Sequence, residues 1–270
     1  MSIRLIALDI DDTLLDSQGK LLPNTITTIK KVTTSGIKVV LCSGRPLAGV
    51  KPYDAALGID GDDQYAITYN GAVIESVSGR VVAKHLVKNE DYRKMTSYAQ
   101  HQQIAFNVLD EHSLIYTADH DVNRITVVQA WENSAGLLIR TPDELPDNFE
   151  IAKGLFVGEK DQLDAIEAGV RATFGQDFYV VRAGQNFLEL MNPVVNKGQA
   201  LKDLAMALHL SANEVMAVGD ERNDIPMFKF AGTAVAMGNG IELAKLNADY
   251  VTDTNDNDGL AKAIQKFALN

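Results

Sequence analysis

Three aspartates, Asp9, Asp11 and Asp12, stand within four positions of the stretch ALDIDDTLL, between two apolar runs. Residues 3–8 before them are mostly aliphatic, which predicts a strand buried on both faces, as in a parallel sheet covered by helices. Two unit charges about 4 Å apart repel by about 4 kcal/mol at an effective dielectric constant of about 20. The aspartates at the carboxyl end of this strand therefore indicate a site for a cationic group.

Three further polar motifs lie next to predicted elements elsewhere in the chain. SGR at 43–45 and GDERND at 219–224 each follow a predicted strand, and NKG at 196–198 opens a predicted helix. The carboxylates of Asp9 and Asp220 are hard oxygen ligands of the kind that Mg²⁺ prefers. A lysine, a hydroxyl and loop amides at helix N-termini suit a phosphoryl group. Together the motifs predict a site for Mg²⁺ and a phosphoryl group.

The order of the predicted elements explains how the motifs would meet. The first 70 residues alternate strand and helix, at 3–8, 23–35, 37–41, 46–57 and 65–69. The alternation returns after Asn192, with helices at 197–208, 225–231, 241–246 and 259–269 and strands at 214–218 and 233–237. This order predicts a parallel sheet wrapped by helices, and such sheets bind ligands outside the carboxyl ends of their strands.

The middle of the chain has a different pattern, with many strands and few helices. A hairpin is predicted at 72–75 and 81–87, strands at 105–109, 114–117, 151–157, 178–181 and 187–191, and helices at 91–102 and 161–174. This pattern is typical of an antiparallel α+β module. The predicted fold class is therefore α/β, a doubly wound, mostly parallel core at 1–82 and 192–270 with an inserted α+β cap domain at 83–191.

Composition excludes several classes of function. The net charge of −11, from 36 acidic and 25 basic residues, has the wrong sign for attraction to nucleic acid or to an anionic membrane. The single cysteine excludes an internal disulfide framework, and the five scattered histidines give no support to a zinc site. No signal-peptide or membrane-spanning pattern is found, so we expect a cytoplasmic protein. The sequence does not predict the oligomeric state.

The motifs DIDDTLL, SGR, NKG and GDERND resemble, in type and order, those of the haloacid-dehalogenase-like phosphohydrolase superfamily. The insertion is similar to the α+β cap of the Cof-type sugar-phosphate phosphatases, and RPLAGV, TYNGAVIE and AGTAVAMGNG match that subfamily. The resemblance covers nearly the whole chain. It implies a Rossmann-like core, Mg²⁺ as the cofactor, and hydrolysis of a small phosphorylated metabolite, a sugar phosphate.

The same resemblance implies the catalytic roles. Asp9 would be the nucleophile that takes the phosphoryl group, and Asp11 would be the general acid and base. Asp9, Asp220 and the backbone carbonyl of Asp11 would bind Mg²⁺. An anionic carboxylate can approach an anionic phosphate only when charge is cancelled, and Mg²⁺ with Lys197 would do this.

Further residues would hold the substrate. The resemblance assigns the binding of phosphate oxygens to Ile10, Ser43, Gly44, Lys197 and Asn223. Asp224 would orient Lys197 or the waters on the metal. Arg45 and Asn70, at strand ends, are candidate contacts to the rest of the substrate.

Asp12 departs from the family pattern, which usually has glycine directly after the second aspartate. Aspartate tolerates a positive φ better than most residues, so it can replace glycine in a tight loop. We expect Asp12 to turn outward and bond local backbone. The alternative is that its charge raises the pKa of Asp11, which would keep that carboxyl protonated nearer to neutral pH.

Other conspicuous residues have structural interpretations. GNG at 238–240 imitates a dinucleotide-binding fingerprint, but too few residues follow it for such a domain, and we interpret it as a turn opening a helix. Cys42 is predicted to be a buried thiol and Trp131 to pack in the cap. The polar run 252–258 is predicted to be a solvated loop, since it lacks the glycine and glutamate of a calcium loop.

The motifs also bear on three other functions. A dehalogenase is disfavoured because that chemistry in the superfamily uses neither the second aspartate nor a metal. A phosphomutase of the same superfamily can share this cap type, so the motifs leave it open. A non-catalytic sugar-phosphate sensor is disfavoured because Asp9 and Asp11 are both intact.

The two interpretations of Asp12 predict different pH dependence. Asp12→Gly should leave both limbs of the pH–rate profile of phosphomonoester hydrolysis unchanged, because an outward-facing carboxylate does not set the protonation of Asp11. Identical limbs in the wild type and the variant would rule out the electrostatic role of Asp12.

Overall fold

The structure, a computed structural model, describes residues 2–269 and divides into two compact units. The first unit contains the described residues up to Gly44, the range Val50–Lys84 and the residues from Asn196 onward. The second unit contains Arg45–Gly49 and His85–Val195. Each unit is built on its own sheet. Within residues 2–269, no helix combines the length and apolar character needed to cross a membrane.

The N-terminal stretch alternates strand and helix. Its elements are β1 Leu5–Leu8, α1 Pro23–Thr34, β2 Lys38–Cys42, α2 Leu47–Leu57, β3 Tyr65–Thr68, β4 Val73–Ser76 and β5 Val81–Lys84. All four residues of β1 are buried, because this aliphatic strand lies in the middle of a sheet. Pro23 begins α1, where its fixed φ and missing N–H cost nothing. β5 extends to Lys84, past the boundary expected at 82.

The second unit is an α+β module. Its elements are α3 Asn89–Gln102, β6 Ala105–Leu109, β7 Leu114–Thr117, α4 Arg124–Glu132, β8 Gly136–Ile139, β9 Lys153–Val157, α5 Lys160–Phe174, β10 Tyr179–Ala183 and β11 Phe187–Met191. The strands form one sheet in the order β10-β11-β9-β6-β7-β8, antiparallel except for the pair β7 and β8. Its main core joins Met95 of α3 and Leu163 of α5 to Phe106, Phe156 and Leu188 on one face of the sheet.

The C-terminal stretch completes the first unit. Its elements are α6 Lys197–Ala207, β12 Val215–Gly219, α7 Ile225–Phe230, β13 Thr233–Ala236, α8 Glu242–Leu246, β14 Tyr250–Val251 and α9 Gly259–Ala268. The eight-stranded sheet has the order β14-β13-β12-β1-β2-β3-β4-β5, and its pairs are parallel except β3 with β4 and β4 with β5. This confirms the predicted fold class, an α/β protein with a mostly parallel core and an inserted cap domain.

The strand order places the two strands that carry the aspartates side by side. β1 pairs with β2 on one side and with β12 on the other. The chain proceeds from β1 to β2 and β3 in one direction, and from β12 to β13 and β14 in the other. The carboxyl ends of β1 and β12 therefore flank a topological switch point, where open α/β sheets bind ligands.

Two elements of the second unit, α4 and β8, were not predicted. The buried positions of α4 include the polar residues Thr126 and Gln129, whose side chains accept hydrogen bonds from Asn107 Nδ2 at 2.9 and 3.0 Å. Because polar residues face the sheet, the usual apolar stripe of a helix is missing from the sequence. β8 has only four residues and lies at the sheet edge.

The expectation that Trp131 packs in the cap is wrong. Its side chain is 81% exposed on α4, next to the exposed Val127 and Val128. Gln129, which bonds Asn107, lies on the buried face of the helix. Trp131 is two positions further on and therefore lies on the opposite face.

Three other local predictions can be compared with the structure. Cys42 is completely buried at the end of β2. Residues 238–240 form a turn shortly before α8, and a single 3₁₀ turn, Asn255–Asn257, lies within the polar run 252–258. Cys42 and the turn at 238–240 therefore agree with the predictions, but the run 252–258 is only partly solvated, since Thr252 and Asn255 are buried.

Asp54, on α2, is a buried acidic residue that no sequence pattern marks. It is 1% exposed, and neither carboxyl oxygen has a hydrogen-bond partner among the described residues. Burial raises the pKa of Asp54 to about 7, although the nearby Lys51 acts to lower it. The ionised carboxylate is therefore a source of instability at neutral pH.

Asp54→Asn should stabilise the protein near pH 8 and have little effect near pH 4. The raised pKa means that the folded state keeps the proton as pH rises above about 4, whereas the unfolded state releases it. Stability is thus lost between about pH 4 and pH 7, and one pKa unit corresponds to about 1.4 kcal/mol, giving an upper bound of about 4 kcal/mol. Urea unfolding at both pH values measures the difference, and equal effects at both would contradict the assignment.

Candidate active site

A buried ammonium group joins the ends of three segments at the switch point. Lys197, the first residue of α6, donates to Asp9 Oδ1 at 2.5 Å and to Asp224 Oδ1 at 2.7 Å. Asp9 directly follows β1, and Asp224 lies in the turn after β12. Lys197 and Asp224 are almost completely buried, and Asp9 is 7% exposed. The contacts are charge-assisted hydrogen bonds in a site largely shielded from water.

The carboxylates outnumber the ammonium. Asp9, Asp220 and Asp224 each offer an oxygen, and these three oxygens lie within 4.8 Å of one another. Both oxygens of Asp224 are engaged, since Oδ2 accepts from the amides of Asp220 at 2.9 Å and Glu221 at 3.0 Å. Three carboxylates against one ammonium leave an excess of negative charge. The donors are hard oxygens, and the site therefore fits a divalent cation such as Mg²⁺.

Burial and mutual repulsion shift the pKa values of these groups. Burial raises the pKa of Asp9 well above its usual value, against the effect of Lys197. Burial, followed by the charge of Asp224, raises the pKa of Asp220 to about 7. Burial alone would lower the pKa of Lys197, but Asp224 and Asp9 outweigh it and raise the pKa. Lys197 thus stays charged, although it lies at a helix N-terminus, where the dipole disfavours a cation.

Two glycines make room for this arrangement. A Cβ on Gly219 would lie 2.4 Å from Asp224 Cγ, and a Cβ on Gly198 would lie 2.2 Å from the carbonyl oxygen of Pro226. No side chain fits at either position without moving its neighbour. The glycines of GDERND and NKG are therefore required for packing, because they let the turn after β12 approach Lys197.

The loop after Asp9 separates the other two aspartates from the buried cluster. Asp11 and Asp12 are exposed, and Asp12 has a φ of 57°, in the left-handed region that a glycine would adopt easily. The carbonyl oxygen of Asp12 accepts from Asn239 Nδ2 at 2.8 Å. Asp12 thus faces outward in the exposed loop, and its charge acts to raise the pKa of Asp220.

Two positioning residues were missed from the sequence. The buried Thr13 donates its hydroxyl to Asp220 Oδ1 at 2.9 Å, and Asn239 fixes the loop through Asp12. Both lay in quoted motifs: Thr13 in DIDDTLL, and Asn239 in the turn GNG. The available signal was position, since each follows a strand at the carboxyl edge of the sheet.

The candidate phosphate-binding residues on the other side of β1 are linked to each other. Ser43 is buried directly after β2, and its carbonyl oxygen accepts from the amide of Asn70 at 2.9 Å. Asn70 Oδ1 accepts from Asn223 Nδ2 at 3.1 Å, which joins the loop after β3 to the turn after β12. A Cβ on Gly44 would lie 3.1 Å from Asn70 Nδ2, so Gly44 borders the same asparagine.

The loop that carries Asn70 is strained. Tyr69, Asn70 and Gly71 have successive φ values of 51°, 57° and 106°. Left-handed conformations at non-glycine residues are costly and are often found at functional sites. A Cβ on Gly71 would lie 2.7 Å from the carbonyl oxygen of Asn196, the N-cap residue of α6, so this loop packs directly on the start of the helix with Lys197.

The first unit thus brings most of the sequence-predicted residues together. Ile10 is buried in the loop after β1, where its carbonyl oxygen accepts from the amides of Leu14 and Leu15 at 3.0 Å. Arg45 is grouped with the second unit, and its contact with substrate stays a prediction.

Lys197→Met should lower the free energy of unfolding by about 3 to 5 kcal/mol, because it leaves the carboxylates of Asp9 and Asp224 buried without their ammonium partner. Adding Asp224→Asn should recover part of the loss, since it removes one of the uncompensated charges. Urea unfolding measures both effects. Lys202→Met, at an exposed position of the same helix, is the matched control and should change little. Equal losses at 197 and 202 would contradict the interpretation.

Comparison with known proteins identifies the family to which the chain is similar. A profile of the haloacid dehalogenase-like hydrolases matches residues 6–264. The phosphatase YwpJ of Bacillus subtilis is 31% identical over 287 residues, covering 96% of this chain and 98% of the relative. The 5-amino-6-(5-phospho-D-ribitylamino)uracil phosphatase YcsE, also of Bacillus subtilis, is 28% identical over 269 residues, covering 100% and 97%.

A solved structure shares the fold over the same extent. The crystal structure of a haloacid dehalogenase-like hydrolase from Bacteroides thetaiotaomicron superimposes with a TM-score of 0.88 at 32% identity, covering 98% of this chain and 99% of the other. The resemblance found in the sequence motifs is therefore confirmed. Because the family profile spans nearly the whole sequence, the chain belongs to the haloacid dehalogenase-like hydrolase family.

Proposed function

We propose that this hydrolase is a Mg²⁺-dependent phosphatase that cleaves phosphomonoesters of small sugars through an aspartyl-phosphate on Asp9. The observation that carries the proposal is the pair of contacts from Lys197 Nζ, at 2.5 Å to Asp9 and 2.7 Å to Asp224, beside the carboxylate of Asp220. The phosphate group of the substrate and the carboxylate nucleophile are both negatively charged and repel each other. The reaction therefore needs fixed positive charge beside them.

The first step is attack by Asp9 on phosphorus. A carboxylate oxygen of Asp9 forms a bond to phosphorus, and the bond from phosphorus to the ester oxygen breaks. The leaving alkoxide takes a proton from Asp11, which yields the sugar alcohol and the phosphorylated Asp9. Lys197 holds Asp9 in place and offsets the repulsion between its carboxylate and the phosphoryl oxygens.

The second step regenerates the enzyme. Asp11, now ionised, takes a proton from a water molecule as the water oxygen attacks phosphorus. The bond from phosphorus to Asp9 breaks, and inorganic phosphate leaves. The difference in environment supports the two roles, since Asp9 is buried beside Lys197 and Asp11 is exposed in the loop, where it can exchange protons with water.

The site would bind Mg²⁺ through Asp9, Asp220 and the backbone carbonyl of Asp11. When bound, the ion neutralises charge on the phosphoryl oxygens and on the carboxylates. Thr13 holds the Asp220 carboxylate at Oδ1. Asp224 fixes the ammonium of Lys197 through Oδ1 and the turn after β12 through Oδ2.

Ser43, Asn223 and the amides of Ile10 and Gly44 would receive the phosphoryl oxygens. Ser43 and Asn223 are linked through Asn70, which supports a shared role at one site. The proposed substrate class, small phosphorylated metabolites, is supported by the relative YcsE, whose named substrate is a phosphate ester on a ribityl chain. A net charge of −11 is compatible with an anionic substrate, because the local field at Lys197 and the cation governs docking.

Phosphate release from a panel of sugar phosphates tests the proposal. With Mg²⁺, inorganic phosphate should accumulate. EDTA should abolish release and excess Mg²⁺ should restore it. Asp9→Asn should lower the rate by at least about a thousandfold, because an amide cannot serve as the nucleophile. Asp63→Asn, which changes an exposed carboxylate outside the candidate site, is the control and should retain full activity.

Each alternative predicts a distinct product pattern. Conversion of one sugar phosphate into its isomer without release of phosphate would identify a phosphomutase. Saturable binding of sugar phosphates without turnover would identify a sensor. Full activity of Asp9→Asn would exclude the aspartyl-phosphate mechanism.

A further inference from the structure

The first unit contains a cavity of about 550 Å³ that the proposed reaction does not use. The residues that matter for its chemistry are Lys51, Asp54, Ala55, Ile59, Asp60 and Val77. Cavities of about 300 to 1,000 Å³ are typical of sites for small organic molecules, and this one is far larger than a bare metal ion needs.

The cavity lies at the edge of the sheet opposite the catalytic carboxylates. β2 ends at Cys42, and α2 then runs back along the sheet for 11 residues, or about 16 Å, toward the start of β3. Asp54 and Asp60 lie toward and beyond the end of this helix. Val77 is near them, since its amide donates to the carbonyl oxygen of Gln64, just before β3, at 2.9 Å. The cavity is therefore distinct from the site around Lys197.

Asp54 gives the cavity a polar group that needs a partner. The side chain is 1% exposed, and no described residue donates a hydrogen bond to either oxygen. Lys51 precedes it by three positions on α2, a spacing suited to a helical ion pair, yet its ammonium is not hydrogen-bonded to Asp54. A buried carboxylate without a donor is costly, and a bound donor removes that cost.

The remaining lining favours an organic cation. Two carboxylates, Asp54 and Asp60, face one ammonium, that of Lys51, so the lining has an excess of negative charge. Asp60 is held in place because its Oδ1 accepts from the amide of Gly61 at 2.7 Å. Ala55, Ile59 and Val77 supply an aliphatic surface, which contacts a hydrocarbon group favourably and offers nothing to a hydrated metal ion.

We propose that this cavity binds a small organic cation, a primary ammonium group on a short aliphatic body, with Asp54 as the acceptor of the ammonium hydrogens and Ala55, Ile59 and Val77 as the apolar wall. Burial raises the pKa of Asp54 to about 7, and a cation in the cavity keeps this carboxyl ionised. The site is independent of the phosphatase activity proposed above.

Titration of the ¹⁵N-labelled full-length protein with n-butylammonium chloride tests this site by NMR. The amides of residues 54–60 and 77 should shift saturably at millimolar concentration. Sodium butyrate, with the same hydrocarbon chain and the opposite charge, should not shift them. Asp54→Asn should weaken binding by at least about tenfold, a loss of one charge-assisted hydrogen-bond acceptor. Asp63→Asn, an exposed neighbour outside the cavity, should bind as the wild type does.

Three results would overturn the proposal. These are the absence of saturable shifts with n-butylammonium, equal shifts with butyrate, and unchanged affinity in a folded Asp54→Asn variant. If Asp54→Asn does not fold, the comparison of the two probes on the wild type still decides between a cation site and a non-specific apolar cavity. Phosphate release is measured separately, so failure of either proposal is recognised without reference to the other.

Discussion

The buried contact of the Lys197 ammonium group with two carboxylates is the interaction on which the candidate site depends. It joins residues from three segments that are far apart in sequence, at 9, 197 and 224. Each partner alone would be an expensive buried charge, and only the complete set is compatible with burial. The same contacts that hold these three segments together therefore fix the Asp9 carboxylate beside its counter-charge. The packing of these segments and the arrangement of the candidate site thus depend on the same three side chains.

The architecture around Lys197 is shaped to permit that contact. The strand order brings β1 and β12 together with their carboxyl ends at one edge. Gly219 and Gly198 remove the side chains that would keep the turn after β12 and the start of α6 apart. The left-handed run 69–71 presses the loop after β3 onto Asn196 and carries Asn70 to Asn223. Backbone strain and tight glycine packing thus both occur where these loops meet.

Many of the strands and candidate site residues could be predicted from the sequence. The physical reasons also explain which elements and residues could not be predicted. Buried parallel strands are mostly aliphatic, so β1 and β12 could be recognised, and with them Asp9 and Asp220 at their carboxyl ends. Lys197 was found in the motif NKG at the start of a predicted helix. α4 was missed because Thr126 and Gln129 face the sheet where an apolar stripe would normally mark a helix. Asn239 was missed because its partner is a backbone carbonyl, which leaves no trace in residue type. Asp54 looked like an ordinary polar residue of a helix, and only its burial distinguishes it.

The position of β1 in the sheet has a consequence for the order in which the protein is made. β1 is synthesised about 210 residues before one of its two neighbours, β12, which begins at Val215. At about 5 to 20 residues per second, the interval between them is on the order of ten seconds or more. During this time the edge of β1 that pairs with β12 has no partner strand, while the contiguous segment 85–195 is synthesised. The edge of β1 beside Asp9 therefore stays without its partner strand longer than the edge that pairs with β2.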